Sequence, residues 1–209
     1  MRRVAITGMG AVSAAGLGVQ ALWEAARDGR SGVRPLEFEH AQGNRIKIGA
    51  AVPCFDPTGI ADEITLRTCD RYTQFALYAA GEAIAAAGLE PGDLRSERTA
   101  VIIGTGVGGV TTIDENCRAY YRGEKGDTFT VPRSMPSSAV SHITIVHGIT
   151  GPSFVVTSAC ASASQAIGLA MTMVRAGMVD RVITGGAEAC LTPATMRAWV
   201  CWSRARGST

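Results

Sequence analysis

A layered α/β fold with a mixed, mostly parallel sheet and buried helices is what this 209-residue sequence predicts, on three observations. Short apolar runs such as Arg3–Gly8 and Thr99–Gly104 alternate with longer segments whose apolar residues recur at helical spacing. Glycines fall where the runs end, giving the tight turns that strand-to-helix passages need. Hydrophobic residues make up 46% of the chain and charged residues only 18%, so many elements must be covered on both faces or lie against a partner.

Arg3–Gly8 is expected as an opening strand, running into a turn built on Gly8, Gly10 and Gly16, with a helix from about Val19 to Arg27. Residues 32–67 are punctuated by Pro35, Pro53 and Pro57, and Arg45–Val52 is the best strand among them. A helix follows from Cys69 to Ala87, with Thr68 placed to cap it and Gly88 to end it. Tyr72, Phe75, Ala76, Ala79 and Ala83 give it helical spacing, and its largely apolar other faces place it centrally. Thr99–Gly104 is the next strand and Pro132–Ile149 a loop with helical pieces. Phe154–Thr157 is a strand, Cys160–Ala176 a buried helix stopped by Gly177, and Arg181–Thr184 the last strand.

A net charge of +2 with no concentrated basic face before Arg197 argues against a nucleic-acid ligand. The six cysteines (54, 69, 117, 160, 190 and 201) form no CxxC pair and no Cys/His ligand spacing. No secretory leader precedes them, so free thiols in a cytoplasmic protein are the expectation. Gly151–Val174 is uncharged and long enough to span a bilayer. Its Ser, Thr and Ala content and Gly168 fit a strand, a turn and a buried helix better than a membrane span.

The segment Gly151–Gly168 places Cys160 where a strand ends and a helix begins. A thiol there meets the positive end of the helix dipole and unpaired backbone N–H groups, which favour the thiolate. The same N–H groups can hold an oxyanion on an acylated thiol. Ala159, Ala161, Ser162 and Ala163 leave room for an acyl chain. By residue type alone, a buried structural cysteine accounts for it equally well.

Four ordered blocks separate these readings. Val155–Gly168 resembles the nucleophile signature of the β-ketoacyl-ACP synthases, and Val4–Ser13 resembles their opening strand and turn. Ile103–Gly109, followed by Glu115-Asn116, resembles their glycine loop, and Val182–Glu188 the strand and turn after the nucleophile helix. The resemblance runs from Val4 to Ala198 and is strongest to the synthase II type. It implies the N-terminal half of a thiolase-like α-β-α-β-α sandwich. Cys160 is then the catalytic nucleophile, and Gly106, Val107, Ala159 and Ala161 lie beside the bound substrate, with Val107 a gate for chain length. It further implies an acyltransferase of fatty-acid biosynthesis that condenses acyl-ACP with malonyl-ACP. Acyl carrier protein is the implied partner and a homodimer paired through the strand at Arg181–Thr184 the implied assembly, with no metal and no redox cofactor. Aryl-polyene or polyketide ketosynthases share these motifs, and a non-catalytic half-protein is the rival of another class.

Gly104–Gly109 also matches G-x-G-x-x-G, but no convincing helix is expected to open on Gly109, and no second strand ends in an acidic residue at the required distance. His142 and His147 are tempting as thioester-polarising groups, yet the resemblance puts the family's two histidines and its lysine beyond this sequence. Both are expected to be structural, and His40 lies in a polar loop. Glu188 is expected as a buried, hydrogen-bonded residue of the last turn. Residues 1–198 then form the synthase domain. Trp199–Thr209, rich in tryptophan and arginine, is an atypical tail expected from truncation or a frame shift.

Overall fold

The computed structural model describes residues 2–36 and 46–206. His40 and Arg45 therefore lie outside the described residues. In chain order the elements are β1 (Val12–Ser13), β2 (Gly16–Leu17), α1 (Gly18–Arg27), β3 (Arg34–Pro35), β4 (Ile48–Gly49), α2 (Glu63–Arg67), α3 (Arg71–Ala86) and α4 (Pro91–Leu94). They continue with β5 (Thr99–Gly104), α5 (Val110–Tyr121), α6 (Thr130–Ser134), α7 (Ser138–His147), β6 (Ser153–Val156), a 3-10 turn (Ala159–Ala161), α8 (Ser162–Arg175), β7 (Arg181–Gly186) and α9 (Pro193–Arg206).

The central sheet is parallel, in the order β6-β5-β7, with Ile102 opposite both Phe154 and Thr184. Every residue of β5 is buried, as expected of a central strand with both faces covered. Val101 and Ile103 point to a layer containing Tyr72, Leu77 and Ile84 of α3 and Ile143 of α7. Ala100 and Ile102 point the other way, onto Ala166, Ala170 and Met173 of α8. Helices therefore cover both faces of the sheet. α3 is central as its sequence predicts. Its cap is Asp70, whose carboxylate accepts from the Tyr72 N–H, while Thr68 closes α2.

Three expectations need correction. Residues 2–10 form no strand: Ile6 is 81% exposed, and the segment lies on α3 through its glycines. A Cβ on Gly8 would sit 1.9 Å from the Ala83 carbonyl oxygen, and one on Gly10 1.9 Å from that of Ala79. Arg2 approaches Asp180, at the start of β7, to 3.6 Å. At the other end, Gly10–Val12 and Gly186–Glu188 line one cavity of about 180 Å³. The segment thus runs alongside β7 with a gap between them, and a ladder needs a neighbour at roughly 4.8 Å. Second, a helix does open on Gly109. Its β-branched start (Val110, Thr111, Thr112, Ile113) is weak by propensity. Buried Asp70 stabilises it, accepting from the Thr112 N–H at 2.8 Å and its hydroxyl at 2.6 Å. Third, α8 is buried on one face only, leaving Ile167, Leu169 and Met171 exposed.

The remaining elements fall near their expected places. Ile48–Gly49, within the predicted strand 45–52, pairs antiparallel with Arg34–Pro35, and Pro132–Ile149 contains parts of α6 and α7. The expected domain boundary at 198 falls inside α9. No helix among the described residues is long and apolar enough to cross a membrane.

Candidate active site

Cys160 stands at the C-terminal edge of the parallel sheet, where α/β folds place their ligands. Glycine makes this possible at two strand ends. A Cβ on Gly104 would lie 2.3 Å from the Ser162 carbonyl carbon, and one on Gly186 2.5 Å from the Ala163 Cβ. With neither present, the first turn of α8 settles directly onto the ends of β5 and β7.

The passage from β6 to α8 is tight. Ala159 adopts φ +50°, a left-handed conformation that costs an alanine on the order of 1 kcal/mol or more. Ser162, 3% exposed, holds it in place. Its hydroxyl oxygen accepts from the Ser158 N–H at 2.8 Å and lies 2.7 Å from the Ala159 carbonyl and 3.2 Å from that of Thr105. Cys160 is exposed at the apex, and its backbone N–H donates to no acceptor among the described residues. In the sequence Ser162 stands out only as a small residue, although a serine at the start of a helix is a capping signal.

The glycine loop lies against this turn. A Cβ on Gly106 would be 3.6 Å from the Ala159 carbonyl oxygen and 3.0 Å from the Glu188 carboxylate. Glu188 accepts from the Gly106 N–H at 2.7 Å and from the Thr105 hydroxyl at 3.2 Å, and that hydroxyl accepts from the Gly108 N–H at 3.1 Å. Glu188 is hydrogen-bonded as expected but exposed, not buried, because it reaches outward from the turn after β7 to meet the loop. The Gly106 N–H is thus engaged by a carboxylate and the Gly108 N–H by the Thr105 hydroxyl, which disfavours a phosphate there even though a helix follows. The structure sets Gly106 against Ala159, beside Cys160 and Ala161, and Val107 is the exposed residue that follows Gly106.

His142 and His147 stay out of this arrangement. Nδ1 of His142 lies 2.8 Å from the Ser138 carbonyl and its Nε2 2.8 Å from the Thr68 hydroxyl, so both ring nitrogens are occupied in the helix layer. His147 is half-buried, and burial lowers its pKa. Among the other thiols, burial pushes Cys69 up to about 12, and its Sγ faces the Thr65 carbonyl. Burial, then the charge of Glu188, raises Cys190.

Comparison with known proteins gives the family. The family described as "Beta-ketoacyl synthase, N-terminal domain" matches residues 1–208. The chain is 34% identical over 200 residues to a nodulation protein E of Rhizobium sp. (strain N33), covering 95% of this chain and 50% of that protein. It is also 34% identical over 194 residues to the 3-oxoacyl-[acyl-carrier-protein] synthase 2 of Coxiella burnetii, covering 92% and 47%. A solved ishigamide ketosynthase/chain length factor superposes with a TM-score of 0.86 at 29% identity, covering 93% of this chain and 49% of its own. The chain spans about half the length of the curated relatives it matches, and its fold is the thiolase-like layered sandwich of the ketosynthases.

Proposed function

The chain belongs to the β-ketoacyl synthase family, and from that premise we propose that Cys160 is the acyl-accepting nucleophile of a decarboxylative condensation in fatty-acid synthesis. The observation that carries the reading is the exposed thiol on a strained turn, with its own N–H unengaged and small or glycine residues around it. The Cys160 sulfur attacks the carbonyl of an acyl thioester carried on acyl carrier protein, and the Cys160 N–H offers one donor to the oxyanion. The tetrahedral intermediate expels the carrier's phosphopantetheine thiol, which takes up a proton. Malonyl carrier then loses carbon dioxide, and the resulting carbanion attacks the acyl-Cys160 carbonyl. A β-ketoacyl carrier leaves and the thiol is regenerated. The reaction needs no metal and no redox cofactor, and a cytoplasmic location goes with it.

Val107 beside Gly106 acts in this reading as a gate on acyl-chain length, by bulk alone. An aryl-polyene or polyketide acyl group would use the same Cys160 chemistry.

We also propose a homodimer, with the pairing strand moved from Arg181–Thr184 to β6. Both outer strands of the sheet hydrogen-bond on one side only, but residues 2–10 run beside β7. β6 exposes Phe154, and the helices packed on it expose Ile145 and Val146 (α7) and Ile167 and Met171 (α8). Identical strands related by a two-fold axis run antiparallel, so one open edge suffices for both copies.

The test is incubation with acyl-ACP, then peptide mass mapping, and then addition of malonyl-ACP with and without the second half of a close relative. Acyl label on Cys160 is expected from the chain alone, and β-ketoacyl product only from the pair. The two histidines and lysine that the resemblance implies have no counterpart in residues 1–209. Without them, at about 10²–10³ in rate for each electrostatic donor, residues 1–209 alone are expected to give no useful turnover. Condensation by the chain alone at the rate of the pair would overturn this division of labour. Acyl label spread equally over Cys54, Cys117 and Cys160 would overturn the nucleophile.

A further inference from the structure

We propose that Glu188 is a positioning residue that fixes Val107 beside the Cys160 turn and so helps set the acyl-chain length the site admits. The inference rests on the reading of Val107 as the gate and concerns what holds that gate still. Between Gly104 and Gly109 the only side chains are those of Thr105 and Val107. Thr105 is 2% exposed and Val107 47% exposed. The backbone N–H groups on both sides of Val107 are tied to one carboxylate. The Gly106 N–H donates to Glu188 Oε2 at 2.7 Å. The Gly108 N–H donates to the Thr105 hydroxyl at 3.1 Å, and that hydroxyl donates onward to Glu188 Oε1 at 3.2 Å.

The carboxylate itself stands on a fixed base. The Ala187 N–H donates to the Gly104 carbonyl at 3.1 Å, and the Thr111 hydroxyl to the Ala189 carbonyl at 3.0 Å, bracketing Glu188 on its turn. The far side of the loop has equally little freedom. Gly108 adopts φ +62°, and a Cβ there would meet the Pro136 backbone at 2.9 Å. Glycines on both sides would otherwise let Val107 swing, since glycine resists few conformations. Charge-assisted hydrogen bonds from a carboxylate to backbone N–H groups are stronger than neutral ones, so cutting this tie frees the gate. Glu188 acts on specificity through the loop and need not touch the reacting atoms.

The test labels Cys160 in the intact 209-residue protein with N-alkyl iodoacetamides carrying short, medium and long chains, with exposed Cys54 as internal control. The reading is the ratio of long-chain to short-chain rate at Cys160. Glu188→Ala is expected to raise that ratio about three- to tenfold, the worth of one to two freed hydrogen bonds. Thr105→Val should do the same and Thr105→Ser should not. Val107→Ala should raise the ratio too, and adding Glu188→Ala to it should bring no further rise. Glu188→Gln keeps the side chain's shape and one acceptor oxygen, and is expected to give a partial rise with native circular dichroism. An unchanged ratio in Glu188→Ala and Glu188→Gln, with Val107→Ala raising it, would overturn the positioning role while leaving the gate. No rise in Val107→Ala would overturn the gate and this proposal with it. A change by one factor at every chain length would assign Glu188 to the charge at the thiol and refute the proposal.

Discussion

Removing one hydroxyl, in Ser162→Ala, is expected to destabilise the protein and to disorganise the nucleophile turn at once. The Ser162 oxygen accepts from the Ser158 N–H at 2.8 Å and lies 2.7 Å from the Ala159 carbonyl, in a residue that is 3% exposed. Two backbone groups therefore lose a partner, at about 1 kcal/mol each net and more where water cannot replace it. Relaxation of Ala159 from φ +50° returns on the order of 1 kcal/mol. Partial exposure of Ser158 lets water reach its N–H and holds the penalty near the low end. The balance is about 1–2 kcal/mol, or roughly 2–8 °C in melting temperature for a chain of this size. Urea titration by circular dichroism gives the stability, and iodoacetamide labelling with peptide mapping gives the reactivity of Cys160. We expect a lower urea midpoint at constant slope, together with slower labelling of Cys160 relative to Cys54. A variant that unfolds with the parent and labels at the parent rate would show that the Ser162 hydroxyl does not hold the turn.

Three further outcomes follow from the geometry. Limiting iodoacetamide should modify Cys160 ahead of the other thiols in the folded chain. Cys69, buried and held near 12, should react last, and equal labelling of Cys69 and Cys160 would contradict the fold. The folded Cys69 thiol keeps its proton above the pH at which the unfolded thiol loses it, from an ordinary value of 9.0 to about 12. Its stabilising contribution is thus complete below pH 9 and declines as pH rises toward 12. The unfolding free energy from urea titration should fall more between pH 9 and 10.5 in the parent than in Cys69→Ala, by up to about 2 kcal/mol, and parallel curves would refute the assignment. Gly104→Ala places a Cβ 2.3 Å from the Ser162 backbone, so it should cost several kcal/mol or abolish soluble expression. Near-parental stability would mean that α8 sits higher on the sheet than described.

The sequence disclosed the core of this fold because its signals are local. Thr99–Gly104 reads as a buried strand from its apolar run, and Arg71–Ala86 as a central helix from small and apolar residues on several faces. Cys160 was legible because a motif fixes it to a strand-to-helix passage. The rest depends on partners far along the chain. Arg3–Gly8 has the pattern of a strand, but pattern does not reveal whether a neighbouring strand stands within bonding distance. The helix at Val110 was hidden by four β-branched residues at its start, and the group that rescues it, Asp70, lies 42 residues upstream of Thr112. The outward reach of Glu188 to Gly106 spans 82 positions, a distance no local pattern reports.

The edge of β6 that bonds no strand among the described residues carries a kinetic consequence. In the proposed dimer, a β6 that pairs with the β6 of a second copy finishes its hydrogen bonding only when the two copies meet. For that assembly the last step of folding is bimolecular, and its rate rises with protein concentration. With only four residues in β6, a neighbour displaced by two positions keeps the same faces inward but loses about half of the ladder. Correct assembly is therefore selected during dissociation and rebinding rather than at first contact. Slow dilution should favour it and rapid concentration should trap the slipped forms.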